Sequence, residues 1–283
     1  SLMVLFAALV INFAIPRLMP GNPVDILTGG VKLTREARQA IIERFGLDDS
    51  IGIQFGRYMI NALQGDFGTS FFYYPQPVTE VMMEALPWSL FILFSSLILQ
   101  VFLGYYLGVT AAWKAGSKTD ATLQSVSLFI FSTPLFWVAM VLLYIFGYQL
   151  DWFPLSGAYT IGEYWDDPWQ EALDIVHHAA LPIISLTISQ YATYQLILRN
   201  SMVNILKEQY IITAEAKGLS KRRIKHGHAA RNALLPMVTF LSLSFAISLG
   251  GSVFIETVFS YPGIGKLIFD SVISRDYPLL QGC

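Results

Sequence analysis

The chain has 283 residues, of which 54% are hydrophobic, 14% aromatic and only 13% charged, and its formal net charge is −2. Soluble domains carry about 25% charged residues, so this composition excludes an ordinary soluble enzyme as well as a disordered, coiled-coil or collagen-like chain. The single cysteine, Cys283, excludes a disulfide framework and a cysteine-based zinc site.

Long uncharged stretches predict an all-α polytopic membrane protein. Four internal stretches contain no Asp, Glu, Lys or Arg and reach the about 20 residues that a bilayer requires. They cover residues 85–113, 121–150, 179–198 and 233–255. Residues 1–16 predict a first transmembrane helix whose start is missing, and Pro16, Pro20 and Pro23 are expected to stop it.

The charges are distributed unevenly between these spans. Residues 114–120 and 199–232 together hold ten basic and three acidic residues, a net charge of +7, whereas the remaining segments sum to −9. Because basic residues concentrate in cytoplasmic loops, residues 199–232 are predicted to be cytoplasmic. The segments 17–84, 151–178 and 256–283 are then predicted to lie outside, and a sixth apolar span is expected beyond Cys283.

Residues 17–84 predict a small extracytoplasmic helical insertion before the transmembrane domain, which covers residues 85–283. Thr34 can cap a helix over 34–45, with Gly46 just past its end, and residues 51–63 form a second amphipathic stretch. Two interpretations stay open for this insertion. It is either a scaffold over the outer mouth or a docking surface for an external partner.

No familiar catalytic motif is present in the sequence. The G-x-x-x-x-G-K-[ST] pattern of a P-loop does not occur, so nucleotide binding through that motif is excluded. Two histidine pairs lack further metal ligands nearby, and three outer acids fit a solvated rim better than acid–base catalysis. These residues are His177 with His178, His226 with His228, and Glu163, Asp166 and Asp167.

The centres of the four complete spans contain no Asp, Glu, Lys, Arg or His. Proton-coupled carriers and voltage sensors require such groups, so the energy for any transport is expected to come from another subunit. The polar residues that remain could line a pore or could hydrogen-bond between helices. The candidates for pore lining are Gln190, Thr193, Tyr194, Gln195, Ser132 and Thr133.

The predicted cytoplasmic loop contains two helices around a glycine. The apolar spacing predicts a helix over 200–217 that ends at Gly218, and Ser220 can cap a second helix over 221–231. A positive φ is expected at Gly218, and a bulky residue there is expected to push the two helices apart. The pattern fits both a lever held by a soluble partner and a helix pair lying on anionic lipid.

Several short segments resemble one family in the same order along the chain. Residues 210–220 read YIITAEAKGLS and are followed by RNALLP at 231–236. The others are MPGNP (19–23), FGLD (45–48), GDFGTS (65–70), PV (77–78), STPLFW (132–137), RNSM (199–202), ETVFSYPGIG (256–265) and RDYP (275–278). This series is similar to the membrane subunits of ABC importers, and most similar to the oligopeptide/dipeptide permease family. The general importer motif begins Glu-Ala-Ala, whereas residues 212–214 are Ile-Thr-Ala here.

The resemblance implies the type I ABC importer transmembrane fold, with six spans of which five are seen here. It implies a non-enzymatic permease subunit that carries peptides across a prokaryotic cell membrane, with no cofactor of its own and with ATP and Mg on partner subunits. The implied partners are a second homologous permease, two ATP-binding subunits, an extracytoplasmic solute-binding protein and membrane lipid, and no nucleic acid. Oligosaccharides or nickel remain alternative substrates within the family, and a stand-alone channel or secondary carrier is a more distant alternative.

The resemblance also assigns an ATPase-coupling loop. Its residues are Thr213, Ala214, Glu215, Ala216, Lys217, Gly218, Leu219 and Ser220. Five basic side chains could pair with acidic residues of an ATPase, or could only set the topology: Lys217, Lys221, Arg222, Arg223 and Lys225.

Overall fold

The computed structural model describes residues 2–18, 39, 48–163, 165 and 167–283. Within this part of the chain the regular structure is helical, with one isolated antiparallel bridge between Thr69 and Pro77. The predicted helix 34–45 lies outside the described residues except for Gln39. The helices are α1 (Leu2–Leu18), α2 (Ile51–Gln64), α3 (Val78–Trp113), α4 (Lys118–Phe131), α5 (Leu135–Leu142), α6 (Pro168–Ile205), α7 (Gln209–Ala216), α8 (Arg231–Val258), α9 (Ile264–Ser274) and α10 (Tyr277–Gly282). π-Helical turns extend α5 over Leu143–Gln149 and precede α8 over Arg223–Ala230.

The chain divides into two compact units. The first comprises Ser1–Ser89 with Pro262–Cys283, and the second comprises Leu90–Tyr261. In the first unit the buried carboxylate of Asp276 accepts hydrogen bonds from the Ser70 hydroxyl, from Phe72 N at 2.9 Å and from Leu279 N at 3.1 Å. This carboxylate therefore fixes the turn at residues 70–72 to the start of α10.

Helix α1 runs to Leu18, so the prediction that Pro16 stops this helix is wrong. A proline in the last turn removes only one backbone hydrogen bond, and such losses are tolerated in membrane helices. The amphipathic helix predicted over 51–63 is confirmed as α2. It meets α1 through the rings of Phe13 and Phe55, whose centroids are 5.1 Å apart in an edge-to-face arrangement.

Two helices of the described residues, α3 and α6, are long and apolar enough to cross a membrane, or three if α4 and the extended α5 form one span. The 36 residues of α3 measure about 54 Å and the 38 residues of α6 about 57 Å at about 1.5 Å per residue. Both exceed the about 30 Å hydrocarbon core, so their ends extend beyond it. The predicted span 233–255 lies within α8.

The stretch 121–150 does not form the single straight span that its composition predicts. Helices α4 and α5 are bent by 98° relative to each other at the break around residues 132–134. Pro134 disfavours a helical conformation at the preceding residue, which ends α4. The hydroxyls of Ser132 and Thr133 donate to the carbonyls of Leu128 and Phe129, at 2.9 and 2.8 Å. These bonds satisfy the acceptors that the helix end exposes.

Helices α3 and α6 approach each other closely at two glycines. A Cβ atom at Gly104 would lie 2.4 Å from the Cβ of Tyr194, and one at Gly108 would lie 2.9 Å from the carbonyl oxygen of Gln195. The spacing of the glycines is the small-x-x-x-small pattern of packed membrane helices. The approach brings α3 against a buried apolar cluster of the second unit, formed by Val109, Ala112, Tyr194, Leu198, Met202, Ile211, Ala214, Ile224, Ala229, Ala230, Ala233 and Met237.

Candidate coupling site and translocation surface

Helix α7 is a short amphipathic helix that follows a break in the chain. The predicted helix 200–217 is interrupted at residues 206–208, so α6 ends at Ile205 and α7 starts at Gln209. Turn-type hydrogen bonds replace the helical pattern there, from Lys207 N to Asn204 O at 3.1 Å and from Glu208 N to Ile205 O at 3.0 Å. The break lets α7 leave the direction of α6.

The inner face of α7 is buried in the apolar cluster. Ile211 and Ala214 are 2% and 5% exposed and belong to the same cluster as Ile224, Ala229 and Ala230. Ala214 therefore packs against the interior of this chain, and its place in the ATPase-coupling loop stays a prediction. Tyr210 of α7 is also tied to the start of α8, because Asn232 Nδ2 donates to its hydroxyl at 3.0 Å.

The outer face of α7 is open in this chain. Tyr210 and Ile212 are 42% and 52% exposed, although both are large hydrophobic residues. Thr213, Glu215 and Ala216 are exposed beside them. The helix thus presents apolar, hydroxyl and carboxylate groups on one side while its other side anchors it. An exposed apolar surface of this kind is typical of a protein interface.

Gly218 ends α7 in a Schellman motif. Its φ is +72°, its N–H donates to Glu215 O at 2.9 Å, and Leu219 N donates to Ala214 O at 3.2 Å. Leu219 packs against the apolar cluster, a hydrophobic contact that often accompanies this motif. The positive φ expected at Gly218 is confirmed. A Cβ there would meet no atom within 4 Å, so the cost of a first side-chain atom at Gly218 comes from the backbone, and the wedging by a bulky residue stays a prediction.

A buried ion pair joins the first turn of α4 to the C-terminal part of α6. Arg199 donates to both carboxylate oxygens of Asp120, from Nε at 3.1 Å and from Nη2 at 2.7 Å. Asp120 also accepts hydrogen bonds from Gly116 N at 3.0 Å and from Gln124 Nε2 at 2.9 Å. Its side chain is 3% exposed and that of Arg199 is 19% exposed. The sequence does not reveal this pair, because Asp120 and Arg199 are far apart along the chain and each also fits a charge that sets the topology.

Two of the six predicted pore residues are structural. Tyr194 and Gln195 are 1% and 0% exposed, so they do not line an open pathway in this structure. The Tyr194 hydroxyl bonds to the Ser244 hydroxyl, and Gln195 accepts from Ser127 Oγ at 2.6 Å and donates to Leu123 O at 3.2 Å. These bonds hold α6 to α4 and α8, so the two residues hydrogen-bond between helices, which was the alternative to pore lining. Gln190, Thr193 and Thr133 are half-buried and Ser132 is exposed.

Three of the histidines and acids noted in the sequence occupy structural positions, and Asp166 lies outside the described residues. His177 Nε2 lies 2.8 Å from Trp152 O, and His178 Nδ1 lies 3.3 Å from a carboxylate oxygen of Asp174. Asp167 caps α6 by accepting from Trp169 N at 3.0 Å, and the predicted outer loop 151–178 is helical from Pro168 onward. In the described part of the chain, no group of three or more His, Cys, Asp or Glu could hold a metal ion.

The solved structures contain a fold related to this one. The chain matches a structure described as an amino acid ABC transporter with a TM-score of 0.51, covering 72% of this chain and 85% of that chain. The sequences are only 15% identical, so this likeness concerns the fold alone.

Curated relatives match nearly the whole chain. The oligopeptide transport system permease protein AppB of Bacillus subtilis is 34% identical over 281 residues, which are 99% of this chain and 87% of AppB. The di/tripeptide transport system permease protein DppB of Pseudomonas aeruginosa is 34% identical over 98% of this chain and 86% of its own length. The glutathione transport system permease protein GsiC of Salmonella paratyphi A is 34% identical over 96% and 83%.

The family model of the binding-protein-dependent transport system inner membrane component matches residues 104–283. This range contains the buried ion pair, α7 with its Schellman motif and the bent α4–α5 pair. The apolar helices agree with the membrane location that the family description gives. The chain therefore belongs to the family of binding-protein-dependent ABC importer permeases and is a multi-pass protein of the cell membrane.

Proposed function

We propose that this chain is the membrane-spanning permease subunit of an ATP-driven importer, and that it forms half of the pathway for peptides delivered by an extracytoplasmic binding protein. The exposed outer face of α7 carries the proposal, since an anchored helix with an open apolar face fits a mechanical contact with an ATPase. The peptide substrate is supported by the relatives that are named for oligopeptide and di/tripeptide transport.

The coupling element is α7, and its inner face transmits the motion. Ile211 and Ala214 pack in one cluster with Met202 of α6 and Met237 of α8. Packed interiors resist continuous deformation, so a shift of α7 moves the ends of both long helices as a body. The chain carries no P-loop pattern, and in this proposal ATP and Mg bind to two partner subunits that contact the outer face.

The solute pathway runs between this chain and a second, homologous permease subunit. Gln190 and Thr193 on α6, with Ser132 and Thr133 at the α4–α5 break, supply uncharged hydrogen-bonding groups for it. Such groups can contact a peptide backbone without binding it tightly, and they leave selection of the peptide to the binding protein.

The test is uptake of labelled peptides by proteoliposomes that contain this chain, its second permease, both ATPase subunits and the binding protein. We expect accumulation that requires ATP hydrolysis and every subunit. Uptake driven by an ion gradient without the ATPases would contradict the importer assignment and favour a carrier or channel. Uptake of oligosaccharide or nickel, with no uptake of peptide, would leave the importer in place and overturn the substrate.

A further inference from the structure

An apolar groove lies between α3 and α8 within the unit Leu90–Tyr261. It encloses about 500 Å³, and Ile98 and Phe102 on its wall are 69% and 58% exposed. The α3 side of the lining extends from Leu97 to Tyr105, which is about 12 Å at about 1.5 Å per residue. The lining residues are Leu97, Ile98, Val101, Phe102, Tyr105, Leu234 and Leu241. Within the part of the chain that the structure describes, no side chain fills the groove.

One end of the groove is basic. The Tyr105 hydroxyl lies 3.1 Å from His226 Nδ1, so the π-helical turns before α8 reach the groove at this end. Burial lowers the pKa of Lys225, and the nearby charge of Lys114 lowers it further. Burial also lowers the pKa of His226, and the charges of Lys225 and Arg222 add to this effect. Among the described residues, none of Lys114, Arg222 and Lys225 forms an ion pair.

We propose that the groove binds one acyl chain of an anionic phospholipid and that Lys114, Arg222 and Lys225, here called the basic cluster, hold its phosphate. Clustered cationic side chains without acidic partners are stabilised by an anion, and basic residues beside a membrane attract anionic lipid. The proposal does not depend on which solute the importer carries.

The length of the groove favours a lipid over a protein helix. One leaflet is half of the about 30 Å hydrocarbon core, and the groove, about 12 Å long, matches that depth. A transmembrane helix of a partner would need a contact surface along the whole core. The basic cluster lies at the end of the groove that the charge distribution assigns to the cytoplasmic side, where anionic headgroups concentrate.

The experiment compares lipids retained by the assembled complex. The complex is placed in nanodiscs of phosphatidylcholine and phosphatidylglycerol in equal parts, and native mass spectrometry measures the retained lipids. We expect wild type to prefer phosphatidylglycerol and Lys225→Gln to weaken that preference about fivefold, the change that corresponds to about 1 kcal/mol per basic residue. Lys225→Arg should keep the preference, as should Lys221→Gln, a matched exposed lysine.

The groove itself is tested by filling it. Val101→Trp places a large ring in the groove and should reduce retention of phosphatidylglycerol, whereas Leu99→Trp, on α3 but outside the lining, should not. An equal loss from Lys221→Gln and Lys225→Gln would overturn the proposal in favour of diffuse attraction. Unchanged lipid retention in Val101→Trp, together with failed assembly with the second permease, would overturn it in favour of a protein occupant.

Discussion

Removal of the Arg199 guanidinium should destabilise the protein strongly. Asp120 is 3% exposed and Arg199 binds both of its carboxylate oxygens, so Arg199→Gln leaves a buried anion with two remaining donors. Breaking a buried pair by removing one partner costs about 3–5 kcal/mol. Since Gly116 N and Gln124 Nε2 still donate to Asp120 and Arg199 is partly exposed, we expect a loss near the lower limit, about 3 kcal/mol.

Two further variants separate the charge from the geometry. Arg199→Lys keeps the charge but lacks the planar fork, and should cost about 1–2 kcal/mol. The double variant Asp120→Asn/Arg199→Gln removes the uncompensated anion together with its partner. It should be more stable than the sum of the single changes predicts, with a coupling free energy above about 1 kcal/mol.

The measurement is the free energy of unfolding in mixed micelles for the four members of this double-mutant cycle. Lys221→Gln is the control, because Lys221 is exposed and loses the same charge. A cost for Arg199→Gln no larger than that of the control would refute the reasoning, as would single changes that add within about 0.5 kcal/mol.

Three further predictions concern coupling, topology and helix packing. Gly218→Val should insert normally but lower solute-stimulated ATP hydrolysis and transport together. The reason is that a φ of +72° costs a β-branched residue about 1–2 kcal/mol, which loosens the end of α7. Hydrolysis and transport coupled as in the wild type would contradict this. In intact cells, an impermeant thiol reagent should label Asp48→Cys and not Ser220→Cys; the reverse would overturn the topology. Gly104→Leu should destabilise the α3–α6 contact by about 1–3 kcal/mol in the micelle assay. The control is Gly116→Leu, which has no atom near its Cβ and therefore measures backbone strain alone.

The helical architecture was predictable from the sequence because absence of charge over about 20 residues has one stable solution in a bilayer. Residues 85–113 and 179–198 lie inside α3 and α6, but composition did not locate the helix ends. Those ends depend on single contacts, such as the cap by Asp167 at the start of α6. Pro134 marks the break at residues 132–134 in the sequence, but a proline inside an uncharged stretch does not fix the angle of the bend, so a single straight span was predicted.

The candidate site was predictable where one residue determines the local backbone. Gly218 was expected to end a helix with a positive φ, and the Schellman motif requires this conformation. The roles of Tyr194, Gln195 and the Asp120–Arg199 pair depend instead on partners far away in the sequence. The order of the residues does not reveal such pairings, because polar groups on a helix suit both a pore and a helix–helix contact.

The contact between α7 and an ATPase can be tested directly by site-directed cross-linking in the assembled complex. The native Cys283 can be kept in these variants. Burial, together with the negative charge of Asp276, raises the pKa of its thiol to about 12, so the thiol stays protonated at neutral pH. Ala216→Cys lies on the outer face of α7, and Thr119→Cys is an exposed control on the same predicted side of the membrane. The account predicts a cross-link from position 216 to an ATPase subunit, with a yield that changes when ATP binds, and none from position 119. Absence of the link at 216, or equal yields at both positions, would contradict it.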